Sequence, residues 1–204
     1  MALGFPAVAA FATLMGLATA LHWDRFTQGH VAFITWVTLY AVTPFLVIAV
    51  WLRNRQTDPQ TGDSHEVILA PPLRAGFGAV GLVTLIVALL LFLQPAVMIG
   101  VWPWSLTPLT ARVLGGMFAL PGLVELGMAI DPRWSAARFT LQSQMVALAF
   151  MIVAIVRAWS NFNQSNPLTW VFALGLVALL LTLAAVHLWI DRRGSPTAGE
   201  IHQV

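Results

Sequence analysis

The chain contains no cysteine and no lysine. Without cysteine there can be no disulfide, no thiolate metal site and no cysteine nucleophile. All ten basic residues are arginine, set against eight acids. Charge of either sign is scarce, at 9% of residues, where a soluble domain carries roughly 25%. Apolar residues make up 59% and the mean hydropathy is +0.83. A chain with so little polar surface cannot cover itself in water, so its solvent is lipid. The arginines sit singly or in pairs at the ends of apolar runs rather than on one face. The basic balance therefore points to membrane-interface anchors and topology signals, not to nucleic acid.

Common catalytic signatures are missing too: there is no G-x-S-x-G elbow, no P-loop and no H-E-x-x-H. A literal G-x-G-x-x-G occurs at Gly76-Phe77-Gly78-Ala79-Val80-Gly81. A proline-rich loop precedes it, and no acid lies between Glu66 and Glu125. It reads as a small-residue face for close helix approach, not as a dinucleotide fingerprint.

What is present is a set of long apolar runs. A spanning helix needs about 20 mostly apolar residues. Six runs qualify: Gly4 to Leu21, Val31 to Leu52, Ala75 to Leu93, Pro108 to Ile130, Phe139 to Ala158 and Pro167 to Ile190. The expected fold is all-α, a polytopic transmembrane helical bundle of about six spans. Its expected organisation is a helix pair over 1–52, a cytoplasmic linker over 53–74, a four-helix unit over 75–193 and a polar tail over 194–204. Ala18-Thr19-Ala20 has the look of a signal cleavage site, but no basic residue precedes the first run, which argues for a span.

Arginine counts give the orientation. Arg53, Arg55, Arg74, Arg133, Arg138, Arg192 and Arg193 fall on one side, and Arg25, Arg112 and Arg157 on the other. Both termini are expected in the cytoplasm. Trp23, Trp36, Trp102, Trp104, Trp159 and Trp170 then lie toward the outer ends, and Trp51, Trp134 and Trp189 toward the inner ends. Amphipathic indole rings favour those levels.

A shift of 136 residues places Trp23 on Trp159, Phe26 on Phe162, Gln28 on Gln164 and Met15 on Met151. Spans one and two thus resemble spans five and six, as a parallel internal repeat. Spans three and four have no counterpart before Met1. The chain could be one and a half four-helix units, part of an eight-helix parent or a six-helix protein outright.

The most distinctive string is Val101-Trp102-Pro103-Trp104-Ser105-Leu106-Thr107-Pro108-Leu109-Thr110-Ala111-Arg112. Thr107 suits an N-cap and Pro108 the first helical position. Trp102 and Trp104 are expected flat at the outer interface. Arg112 opposes the helix dipole there, which predicts an acidic partner, with Asp24 the candidate, or a bound anion. Taken with Leu21-His22-Trp23-Asp24-Arg25-Phe26, this string resembles a family of bacterial multi-pass membrane proteins of unknown function. In that family a further helix pair precedes the L-H-W-D-R-F segment, which would mean a shortened N-terminus here. The resemblance implies a fold in the bacterial plasma membrane and nothing chemical.

Three groups could carry chemistry. His22, Asp24 and His30 share one short turn and could hold a metal. The matching positions in the second half, Ala158, Ser160 and Asn166, are not ionisable, so any such role belongs to the first half alone. His187 could ligate a haem from within the bilayer, or bond a neighbouring helix. Glu125 is the one acid well inside a span, and intramembrane acids are functional candidates by default. It either pairs with an arginine such as Arg138 or handles a proton or ligand. Pro121 lies one turn before it, and Gly115, Ala119 and Gly122 form a small-residue stripe on the same helix.

Three functions follow as expectations. The first is a non-catalytic structural, accessory or binding subunit, in contact with lipid and with other membrane subunits or copies of itself. The second is a small transporter or channel using Glu125. The third is a redox protein linked to haem or quinone.

Overall fold

The computed structural model describes residues 4–54 and 67–194. Most of the expected linker and the polar tail lie outside these. Seven α-helices follow one another: α1 (Gly4–Leu21), α2 (Val31–Asn54), α3 (Pro71–Leu93), α4 (Pro95–Val101), α5 (Pro108–Ile130), α6 (Trp134–Arg157) and α7 (Pro167–Gly194). No strand occurs among the described residues. All but α4 are long and apolar enough to cross a membrane. The chain is an all-α, multi-pass membrane protein with six candidate spans.

The helix boundaries follow from local chemistry. Thr107 and Thr110 form a reciprocal capping box at α5: Thr107 N donates to Thr110 Oγ1 at 2.7 Å, and Thr110 N to Thr107 Oγ1 at 3.2 Å. These bonds satisfy donors that have no partner within the helix. Pro71 and Pro72 open α3, where a missing N–H costs nothing. That places the start of α3 four residues before Ala75, where the apolar run begins. Pro95 ends α3 and begins α4, a seven-residue helix that the hydropathy pattern does not foretell. The helix of the fifth span likewise starts early, at Trp134 rather than Phe139, and α7 runs past Ile190 to Gly194.

Helices α3 and α5 form the centre, and they meet nearly backbone to backbone. A Cβ on Gly81 would lie 2.8 Å from Gly122 O, and one on Gly115 would lie 2.7 Å from Ala88 O. A Cβ on Gly122 would meet Leu85 Cγ at 2.9 Å. This is the small-residue packing that membrane helices use where no hydrophobic force joins them. Of the G-x-G-x-x-G glycines, Gly78 and Gly81 face α5, while nothing lies within 4 Å of a Cβ at Gly76.

The other helices build on this pair. α1 crosses α5, with Met15 Sδ 3.3 Å from a Cβ at Gly116. α2 packs on α1 and has no buried residue of its own. Beside Pro44, an open apolar groove of about 570 Å³ separates the two, bordered by Pro6, Ala10, Thr13, Phe45 and Ile48. α6 and α7 pack on each other through Leu141, Leu148 and Leu183, and they join α3 and α5 through Phe77, Met128 and Trp134. The outward faces are apolar: Phe45 is 77% exposed and Phe139 75%. Such faces suit hydrocarbon and contact the bilayer.

Around the turn of the α6–α7 hairpin the landmarks fall 136 residues after those around the turn of α1–α2, whereas the outer helix ends do not keep that spacing. Leu21 and Arg157 end the first helix, Trp23–Arg25 and Trp159–Asn161 form 3-10 turns, and Val31 and Pro167 start the second helix. In both turns the Phe N–H bonds the Trp carbonyl, at 3.3 Å for Phe26 and 3.1 Å for Phe162.

Candidate functional site

The bundle has two polar ends and one polar site between them. At the aromatic end lie the turns after α1 and α6 and the loop from α4 to α5. At the arginine end lie the segment before α3, the α5–α6 connection and the end of α7.

The internal site is Glu125 on α5. Glu125 is 4% exposed. It stands five residues before the helix end at Ile130, about 7.5 Å along the axis. On one side α3 presses close, since a Cβ on Gly81 would lie 3.1 Å from Glu125 Cβ. On the other side α6 supplies Gln144, whose Nε2 donates to Glu125 Oε1 at 3.4 Å. Glu125 Oε2 and Gln144 Oε1 are both buried and make no hydrogen bond. The expected pairing of Glu125 with Arg138 is not formed. Arg138 instead reaches Asp191 on α7, with NH2 to Oδ2 at 3.8 Å. Arg138 and Asp191 sit at the arginine end, where water is available to charged groups.

Gln144 escaped the sequence reading. Its signal was the Gln142-Ser143-Gln144 triplet within an apolar run. An uncharged amide draws little notice, but inside a bilayer it is costly enough to demand a partner.

At the arginine end the ionisable groups hold helices together. Arg74 Nε donates to Ala129 O at 2.9 Å and NH2 to Ile130 O at 3.4 Å. A cation thus caps the carbonyl end of α5, where the dipole favours it. Arg133 binds Asp131 in a fork, with Nε to Oδ1 at 2.9 Å and NH2 to Oδ2 at 2.8 Å. That pairing holds the Asp131 carboxyl below its ordinary range. His187 Nε2 lies 3.3 Å from Gln142 Nε2 and 3.3 Å from Asp191 Oδ2, with the Trp134 ring at 5.6 Å. His187 Nε2 is thus turned toward helix neighbours, while Nδ1 is buried without a partner.

At the aromatic end Arg112 does find a partner, but it is not Asp24. Arg112 NH1 lies 2.7 Å from His22 Nε2, so the imidazole accepts. Burial, and then the Arg112 charge, hold the His22 pKa below 6.5. Asp24 sits on the exposed turn beside Arg25, at 3.5 Å. The 3-10 turn carries His22 inward and Asp24 outward, which is why the expected ion pair does not form. His30 is elsewhere again: its Nδ1 accepts from Ala32 N at 3.3 Å and helps start α2. His22, Asp24 and His30 therefore do not converge, and no cluster of three potential metal ligands occurs among the described residues.

Trp102 and Trp104 are packed against protein rather than laid flat on an interface. Trp102 contacts Trp104 at 5.3 Å, Phe118 at 6.1 Å and Phe172 at 6.2 Å. Trp104 contacts Phe162 at 5.1 Å and Phe172 at 5.3 Å. Between them Pro103 O accepts from Asn163 N at 2.8 Å. The W-P-W segment is thus a buckle that fastens the α6–α7 turn to the start of α5.

No protein-family model, curated protein or solved structure matches the chain.

Proposed function

We propose that the chain is a non-catalytic protein of the bacterial plasma membrane, acting as a structural, accessory or binding subunit beside other membrane subunits or copies of itself. The carrying observation is how its ionisable groups are used. Arg112 with His22, Arg74 on the α5 carbonyls, and Arg138 with Asp191 each tie one segment to another, and Asp131 with Arg133 braces the short α5–α6 connection. They hold architecture rather than face a cleft. The arginine distribution supports cytoplasmic termini. The matched spacing of the two hairpins supports a duplicated helix pair, and the W-P-W string supports the resemblance to bacterial multi-pass proteins.

Native mass spectrometry of the protein released gently from its own membranes tests this. A partner subunit or a self-assembly is the expected result. A bound haem or quinone would overturn it and revive the redox reading.

One observation favours a second reading, a small transporter. Glu125 is buried in a span with one oxygen unpartnered, and groups so placed mark ion and proton paths. Proton or ion flux through proteoliposomes that disappears in Glu125→Gln is the outcome that reading requires.

A further inference from the structure

We propose that Glu125 and Gln144 form a proton-binding site inside the membrane, in which the acid and the amide close a two-bond ring around one exchangeable proton. The inference deepens the transporter reading by naming what its site takes.

The argument is an accounting of donors and acceptors. A polar side-chain atom buried in a bilayer without a partner is costly. Gln144 Nε2 already donates to Glu125 Oε1 at 3.4 Å. That leaves Glu125 Oε2 and Gln144 Oε1, two buried acceptors on the same bonded pair and no donor for either. A single hydrogen on Oε2, donated to Gln144 Oε1, fills both vacancies at once. A carboxylic acid and a primary amide have complementary faces for this arrangement, each giving one hydrogen bond and taking one. An ionised carboxylate would instead leave Glu125 Oε2 and Gln144 Oε1 both without a donor and an uncompensated charge in the apolar interior.

Nothing nearby offers a rival. α3 brings Gly81 against Glu125, which adds neither charge nor donor. Among the described residues the hydrogen-bond partner of the Glu125 carboxyl is the neutral Gln144 amide. The charged groups toward this end of α3, α5 and α6 are engaged elsewhere: Arg74 with the α5 carbonyls, Asp131 with Arg133, and Arg138 with Asp191. A metal cation would want about six oxygens around it, and this pair has two unpartnered ones. Binding is a simple proton transfer: hydronium gives up a proton, an O–H bond forms on Oε2, and water leaves.

The partners belong to different parts of the bundle. Glu125 is on the central α3–α5 pair, while Gln144 belongs to the α6–α7 hairpin. That hairpin is fastened at the aromatic end by Asn163 N to Pro103 O at 2.8 Å, and at the arginine end by Trp134 N to Val67 O at 2.9 Å. Moving the hairpin away between those fastenings would strip the acid of its amide and favour proton release. The site thus couples proton occupancy to the α5–α6 contact.

The test is infrared spectroscopy of the full chain in lipid bilayers, made with carboxyl-labelled glutamate. Glu125 shares the chain with Glu66 and Glu200, which fall outside the six spans in sequence. At neutral pH the carbonyl band of a protonated carboxylic acid should appear in wild type and shift with the label. It should vanish in Glu125→Gln and move to higher frequency in Gln144→Leu, where the amide bond is gone. An absent acid band in labelled wild type would overturn the proposal, and this needs no variant to fold. So would a band unchanged by Gln144→Leu, or one removed by Na+ at constant pH. Proton flux measured on the same samples judges transport separately. An acid band without flux ends the transporter reading and keeps the site.

Discussion

Arg112 and His22 are 90 residues apart in sequence and joined by a 2.7 Å bond from guanidinium to imidazole. The bond requires an imidazole with a free lone pair on Nε2, so it belongs to neutral His22. The His22 pKa lies below 6.5 because of burial and the neighbouring arginine. An unfolded chain therefore binds the proton more readily than the folded one in that window. The stability contributed by this contact is full above about 6.5 and falls as the pH drops below it. Thermal melting in detergent across that range should show the decline, and His22→Gln should flatten it. A profile in which the variant declines as wild type does would disconnect His22 from the effect.

Gly81→Ala and Gly115→Ala should each destabilise the bundle by about 1–3 kcal/mol, the usual cost of overpacking. Their added carbons would lie under 3 Å from backbone atoms of the facing helix. Gly76→Ala has open space and should be neutral or gain up to about 1 kcal/mol from helix propensity. Equal melting temperatures for all three would refute the close approach of α3 and α5.

Arg133→Ala should cost about 1 kcal/mol and let the Asp131 carboxyl titrate at higher pH. The pair is only partly exposed, at 21% and 12%. Because Asp131 is held below its ordinary value, the stabilisation is present above that value and fades as pH falls through the folded one. A variant with unchanged acid sensitivity would show that the fork contributes nothing.

A chain without cysteine is ready-made for mapping which side faces out. Gln28→Cys, in the turn after α1, should react with a membrane-impermeant maleimide on intact cells. Asn54→Cys, at the far end of α2, should react only after lysis. The reverse pattern would place both termini outside.

Much of this architecture could be read from sequence, and particular residues show where reading failed. The span Pro108–Ile130 was legible to the residue because Thr107 and Pro108 announce its start and Asp131-Pro132 its stop. The start of α3 was missed because Arg74 interrupts the apolar run. In the fold that arginine lies within the helix and bonds the last carbonyls of α5, which no local pattern encodes. For the candidate site the acid was visible and its amide was not. Glu125 stands out by charge, but which helix would face it depends on the packing of α6 against α5. The same limit applied to Arg112. Charge suggested Asp24, while the direction of a 3-10 turn delivered His22.

The glycine contacts between α3 and α5 also divide the molecule into parts of unequal stiffness. Two backbones this close at Gly81 and Gly115 leave little side chain between them to yield, so that pair behaves as a keel. Whatever shape change the protein undergoes is borne by what is hung on the keel. α1 and α2 hang from one flank, and the α6–α7 hairpin is held by its two buckles.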